Sequence, residues 1–314
     1  PMSYSVSMMS EVTVQVGGHV TLLFSVHSKS LLARNQGSKG AGFCLEDGVL
    51  STVKILNKGP DKITVTSMDG SLFEKGEQLY LEMLNSFREV FKIESAVSID
   101  VQLELPVSQG FGMSAAGLLA TSLALGELFD RGDEGQLARL AHRIERKFSG
   151  GLGDILGLWA GGCELRVNPG SPPSPGKAYG FDVGCPAILV WDPEGEKHTS
   201  DYIDDPDWKM KITKAGEAAV ARLERLDWNL GVWDKLLEEA DRFALESGLL
   251  DERARANLLN AVVEHSDETM SCHLCMLGTS LIVVPRNLQL DFDTSELAQK
   301  LRALGLGVRE TILQ

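Results

Sequence analysis

The sequence predicts an α+β protein of two domains, and three observations carry that expectation. Val97, Ile99, Val101, Leu103 and Leu105 alternate with Ser98, Asp100, Gln102 and Glu104, the period of two that marks a strand with one wet face. Ala115–Phe129 is then almost wholly apolar, as expected of a helix buried on all sides. Beyond the Pro- and Gly-rich stretch Asn168–Gly176 the order strand, helices, strand, helix, strand suggests a small mixed layer. A chain of 314 residues exceeds what most single cores use. The expected domains are therefore 1–175 and 176–314, with the first sheet allowed a few residues beyond that boundary.

Each element follows from local pattern. Val12, Val14 and Val16 alternate with Thr13 and Gln15 as a half-buried strand, and Val20–Val26 continues extended after a break at Gly17-Gly18. Asn35–Gly42 reads as a glycine-rich loop. Val49–Leu56 and Lys62–Ser67 are strands with a turn at Gly59-Pro60. Leu81, Leu84, Phe87 and Phe91 share one face of a helix over Gln78–Phe91. After the apolar helix, Asp133 caps another, whose Leu137, Leu140, Ala141, Ile144 and Phe148 form an apolar face. Ser149–Gly162 is glycine punctuation around a short helix. Cys163, Leu165 and Val167 alternate with Glu164 and Arg166 as a strand. Asn168–Gly176 is the most linker-like stretch. A strand follows at Ala187–Trp191, with helices near Met210–Leu226, Val232–Ser247, Arg253–Glu264 and Met270–Leu277. A strand at Ser280–Val284, a helix at Ser295–Leu304 and a strand at Val308–Leu313 complete the second domain.

Composition narrows the function. The net charge of −14 argues against nucleic acid and anionic membranes, which need a basic footprint. It leaves room for a small anionic ligand held by local positive charge. No apolar run approaches the ~18 residues of a membrane helix, and no basic segment followed by an apolar one suggests a secretory leader. The five cysteines are scattered, which fits a reducing compartment. A cytoplasmic enzyme is the expectation. Cys272-His273-Leu274-Cys275 is a lone C-x-x-C without the partner ligands of a zinc site, and its cysteines are read as small buried residues.

The loop between the alternating strand and the apolar helix reads Gly110-Phe111-Gly112-Met113-Ser114-Ala115. It matches the loose dinucleotide fingerprint G-x-G-x-x-A, with Glu127 and Asp130 near where a ribose-binding acid belongs. The strand before it argues otherwise, because a central parallel strand is apolar on both faces. A Walker A loop fails as well, since Gly176-Lys177-Ala178 lacks the earlier glycine and the Ser/Thr.

The longer pattern Pro106-x-x-x-Gly110-Phe111-Gly112-Met113-Ser114-Ala115-Ala116 resembles P-x-x-x-G-L-G-S-S-A-A, the signature of the GHMP kinases. Phe111 and Met113 depart from it. Within that superfamily the chain is most similar to the archaeal pantoate kinases, through Gly17–His27, Gly37–Val49, Ile144–Asp154, Gly161–Pro173 and Met270–Val283. The family's Pro-Gly-His is Gly17-Gly18-His19 here.

The resemblance implies the two-domain GHMP kinase fold: an N-terminal domain like domain 2 of ribosomal protein S5 and a ferredoxin-like C-terminal domain. It implies ATP and Mg²⁺ as cofactors and a small carboxylate as acceptor. Pantoate is the first choice, with mevalonate 3-phosphate or another small acid as the alternative. A non-catalytic binding protein on the same fold is the alternative of another class. By resemblance, Pro106, Gly110, Phe111, Gly112, Met113, Ser114, Ala115 and Ala116 bind ATP, and Ser114 and Glu145 bind Mg²⁺. Asp154 is the catalytic carboxylate, and Arg166 counts among the catalytic residues and handles substrate. His19, Lys39, Gly40 and Gly278 fall in segments that form the acceptor pocket. A homodimer is expected.

Overall fold

The computed structural model describes residues 10–195 and 204–314. Two sheets organise it. The first holds β1 (Glu11–Phe24), β2 (Gly40–Ile55), β3 (Lys62–Thr66), β4 (Val97–Leu103), β5 (Cys163–Asn168) and β6 (Lys177–Phe181). Its order is β3-β4-β2-β5-β6, with β1 paired to β2. β2 is the long spine. β1 pairs antiparallel along its whole length, while β4 and β5 pair with opposite halves of it. β1 is one continuous strand, and the expected break at Gly17-Gly18 is a register shift between Gly17 and His19. Such a bulge re-aims a side chain, here that of His19.

β4 behaves as its pattern requires: Val97, Ile99, Val101 and Leu103 are buried, while Asp100 and Gln102 are exposed. Against the buried faces of β1 and β2 lies α2 (Met113–Phe129), itself buried on nearly every side. α1 (Glu74–Phe91) and α3 (Glu134–Lys147) flank it. Asp133 caps α3 reciprocally with Gln136: Gln136 N–H donates to Asp133 Oδ1 at 2.8 Å, and Asp133 N–H donates to Gln136 Oε1 at 3.0 Å. A short α4 (Asp154–Ala160) leads into β5.

The second sheet is antiparallel, in the order β10-β7-β9-β8. Its strands are β7 (Pro186–Trp191), β8 (Met270–Leu274), β9 (Ser280–Pro285) and β10 (Gly307–Ile312). Helices α5 (Pro206–Leu223), α6 (Trp233–Glu246) and α7 (Arg253–His265) lie between β7 and β8, and α8 (Ser295–Ala303) lies between β9 and β10. This is the ferredoxin-like arrangement that the resemblance implied. One hydrophobic core joins the two sheets; in it Phe43 stacks on Trp233 and Phe24 meets Phe243. A smaller core packs α7 and α8 on the other face of the second sheet.

Three sequence expectations are corrected. Met270–Leu277 is not a helix. Its first five residues form β8, fully paired with β9, because Met, Cys and Leu at mixed spacing fit either period and the sheet edge decides. Gly40–Gly42 belongs to β2 and not to a loop. A Cβ on Gly40 would lie 2.6 Å from Arg166 Nη2, so the glycine there serves close packing. Asn168–Gly176 is a packed connection between β5 and β6, with Ser171 fully buried and its N–H donated to Arg34 O at 2.8 Å. β6 lies beyond position 175, and the chain crosses to the second sheet between Phe181 and Pro186.

Candidate active site

A cleft of about 470 Å³ opens above the start of α2. Its wall at one end is the loop leaving β4. Ser108, Gly110 and Gly112 there have φ of 60°, 77° and 69°, a run of left-handed turns that turns backbone amides into a concavity. Gly112 is the N-cap of α2 and supplies no side-chain cap. The N–H groups of Met113, Ser114 and Ala115 therefore have no intrahelical partner, whereas Ala116 N–H already donates to Gly112 O at 2.9 Å. Free amides and the positive end of a buried helix make an anion site.

Pro106, Gly110, Phe111, Gly112, Met113 and Ser114 line the cleft, while Ala115 and Ala116 are buried in the helix behind it. The Phe111 ring meets Trp191 edge-on with centroids 5.8 Å apart, fastening the loop to the second sheet. Beyond the loop the cleft turns apolar, with Phe73, Leu79, Val107 and Phe148. Phe148 was expected on the buried face of α3 and instead stands 40% exposed at this end.

The floor carries the acids. α3 delivers Glu145 on its buried face, glycines 150, 151 and 153 bring the chain back, and Asp154 opens α4. A Cβ on Gly151 would lie 2.0 Å from Asp154 Oδ2 and 2.7 Å from Glu145 Oε1, and one on Gly150 would lie 3.4 Å from Ser114 Oγ. Ser114, Glu145 and Asp154 thus converge on one glycine turn. Gly151 N–H donates to Glu145 Oε1 at 3.1 Å, and the buried Glu145 Oε2 has no hydrogen-bond partner. Burial first, then the charge of Asp154, push the Glu145 carboxyl up to about 8. Asp154 moves the other way. Burial works against its anion, but the hydrogen bond from His19 and the charges of His19 and Arg166 outweigh it and lower its pKa.

An orphaned carboxylate oxygen beside a hydroxyl at an anion site fits Mg²⁺, which takes oxygen donors and needs few from the protein. Among the described residues no group of three or more His, Cys, Asp and Glu could hold a metal ion. Any cation here would therefore lean on the phosphates it accompanies.

Behind Asp154 lies a row of buried charge. His19, fully buried, sits 2.7 Å from Asp154 Oδ1 through Nδ1 and 2.9 Å from Glu164 Oε1 through Nε2. An ionised carboxylate can only accept, so with both acids charged each ring nitrogen donates and the ring is a cation. Burial opposes that cation, but the bonds to Asp154 and Glu164 prevail and raise the His19 pKa. Glu164 Oε2 then meets Arg166 Nε at 3.2 Å, a close ion pair without hydrogen-bond alignment. Arg166 Nη1 donates to Ser38 Oγ at 2.9 Å and Nη2 to Thr21 Oγ1 at 3.2 Å. With two N–H groups so engaged, the guanidinium still has others for a ligand in the cleft it lines.

The remaining expected residues sit outside the lining. Lys39 is 2.9 Å from Glu217 Oε2 on α5. Gly40 underlies the Arg166 guanidinium, and Gly278 packs on the backbone of Gln109. His19 is behind Asp154 rather than in the cleft. Sequence reasoning missed Glu164, Ser38 and Thr21. Glu164 had a signal: two residues from Arg166 on one strand, it shares that arginine's face.

Comparison with known proteins bears on this geometry. Residues 78–162 match the family model described as the GHMP kinases N terminal domain. The chain is 34% identical over 278 residues to the pantoate kinase of Thermococcus kodakarensis, covering 87% of each chain. It is 29% identical over 280 residues to the pantoate kinase of Methanospirillum hungatei, covering 88% of each. A solved structure titled a phosphotransferase related to the CoA biosynthesis pathway superposes with a TM-score of 0.76 at 25% identity, over 96% of each chain. No helix among the described residues is long and apolar enough to cross a membrane.

Proposed function

The chain belongs to the pantoate kinase family of the GHMP kinases, and from that premise we propose that it transfers the γ-phosphoryl group of ATP to the primary hydroxyl of pantoate. The product would be 4-phosphopantoate, on the way to coenzyme A. The observation that carries the reading is the convergence of Ser114, Glu145 and Asp154 beneath the uncapped start of α2, with Arg166 on the same floor.

The triphosphate lies along the left-handed loop and the free amides of α2, and the base occupies the apolar end between Phe73 and Phe148. Ser114 and Glu145 are the residues that would hold Mg²⁺, Glu145 through its unpartnered Oε2. When bound, Mg²⁺ offsets charge on the phosphate oxygens. The acceptor carboxylate pairs with the free N–H groups of Arg166, a planar fork suited to two oxygens. Its hydroxyl donates to Asp154. The hydroxyl oxygen bonds to the γ-phosphorus as the bond to the bridging oxygen breaks, ADP leaves, and the proton passes to Asp154 and on to solvent. A lowered pKa makes Asp154 a weak base, and positioning is its main task. Phosphoryl transfer through a loose transition state asks for little more.

Arg166 and Lys75 are the only Lys or Arg lining the cleft among the described residues, and Lys75 stands near Phe73 at the apolar end. A single cation at the acceptor end favours a plain carboxylate over an acceptor that also carries a phosphate. Cytoplasmic location and a homodimer belong to the same proposal. The test is ATP turnover with pantoate, mevalonate and mevalonate 3-phosphate. Turnover with pantoate is expected. No ATP consumption with any acceptor overturns the kinase reading, and turnover with mevalonate 3-phosphate alone overturns the acceptor.

A further inference from the structure

Four buried or nearly buried charges stand in one row: Asp154, His19, Glu164 and Arg166. Its two ends do different work. Asp154 faces the reacting hydroxyl and Arg166 faces the acceptor's carboxylate. Glu164 does neither: it is fully buried, does not line the cleft, and spends one carboxylate oxygen on each of its neighbours, His19 and Arg166. We propose that Glu164 is a positioning residue for the phosphoryl transfer, the brace that fixes the hydroxyl-orienting Asp154, through His19, relative to the acceptor-binding Arg166. The proposal rests on the kinase reading above and adds a residue to it.

Three features support the brace. First, the charges alternate strictly, minus, plus, minus, plus, so the middle pair is compensated from both sides. Removing Glu164's charge leaves His19 and Arg166 as two buried cations with Asp154 alone to balance them. Truncating one partner of a buried pair in this way is costly. Second, the surroundings leave the row no slack. A Cβ on Gly42 would come within 3.1 Å of Glu164 Oε1, and one on Gly157 within 2.4 Å of His19 Nε2. Third, the row crosses elements. His19 is on β1, Asp154 opens α4, and Glu164 and Arg166 are on β5. The brace thus locks three separate pieces of backbone into one relative placement. An error of about 1 Å between an acceptor's carboxylate and hydroxyl contacts can cost about 100-fold in rate.

The experiment compares wild type with Glu164→Gln and Glu164→Asp on whichever acceptor the wild type phosphorylates. Failure toward pantoate would then strike the acceptor assignment and leave this comparison intact. Glu164→Gln keeps the shape and loses the charge. Its kcat is expected to fall about 100-fold and its KM for acceptor to rise several-fold, while KM for ATP stays within twofold. Glu164→Asp keeps the charge and is expected to recover about tenfold of that kcat. A merely structural role would lower thermal stability but leave both constants of the folded enzyme at wild-type values, and that result overturns the proposal. Equal losses in KM for ATP and for acceptor overturn it too. If Glu164→Gln does not fold, Glu164→Asp decides alone: its shorter reach must raise acceptor KM and lower kcat, and unchanged constants overturn the brace.

Discussion

Glu145 offers a stability measurement that tests the acid pair without substrate. Burial and the charge of Asp154 lift its carboxyl from 4.5 to about 8. The folded protein therefore keeps a proton that the unfolded chain has released. A folded pKa above the unfolded one contributes stability that is full below about 4.5 and is lost as pH rises to about 8. The slope in that window is about 1.4 kcal/mol per pH unit, and the whole loss is on the order of 5 kcal/mol. Glu145→Gln removes the titration and leaves the shape. Urea unfolding of the ligand-free protein between pH 5.5 and 8 should show wild type losing stability steadily relative to Glu145→Gln. His19, whose pKa is also raised, adds a slope of the same sign to both proteins. A cation at Glu145 Oε2 needs the carboxylate deprotonated, so Mg²⁺·nucleotide should flatten the wild-type curve and bind more tightly toward pH 8. Parallel wild-type and Glu145→Gln curves would refute the argument that Glu145 is an unpaired, desolvated acid.

The other expectations concern single groups. Asp154→Ala should lower kcat by roughly 10²–10⁴-fold and leave nucleotide binding measurable by calorimetry; near-normal turnover would remove Asp154 from the reaction. With Met113 where the family signature has its first serine, Ser114 is the sole hydroxyl there, so Ser114→Ala should raise the Mg²⁺ needed for half-maximal rate several-fold, and full activity at limiting Mg²⁺ would refute its role. Gly157→Ala places a methyl 2.4 Å from His19 Nε2, an overpacking that should cost about 1–3 kcal/mol and lower kcat together with the melting temperature; a loss of stability with kcat untouched would show that His19 does not position Asp154.

What the sequence announced is what obeys local rules. The alternation at 97–105, the Asp133 cap and the all-round apolar α2 each depend on near neighbours, and each is found as expected. β6 and β8 were hidden because tertiary pairing makes them. Lys177–Phe181 buries little and carries no clean period. Met270–Leu274 would serve a helix as well, and only the adjacent β9 turns it into a strand. Phe148 shows a related failure: its place in the helical period said buried, but α3 ends at Lys147, and past that end the ring turns toward the cleft.

The site divides in the same way. Ser114, Glu145 and Asp154 each sit on a short recognisable segment, and the glycines between Glu145 and Asp154 let the chain turn back between those two acids. The buried row has no such local mark. On β5 the polar residues Glu164 and Arg166 alternate with Cys163, Leu165 and Val167, and a period of two with polar residues on one face reads as a strand half in water. Here both residues are buried to within 1%. What distinguishes the two cases is compensation, since a face of charge can leave water only where opposite charge meets it. That charge comes from His19, carried in by the β1 bulge, and through it from Asp154. Their sequence separations from Glu164 are 145 and 10 residues, so no window along the chain contains the pattern. A strand with opposite charges two positions apart is therefore a reason to search distant segments for a third charge. In this chain that search leads from Arg166, the acceptor's expected partner, to the carboxylate expected at the reacting hydroxyl.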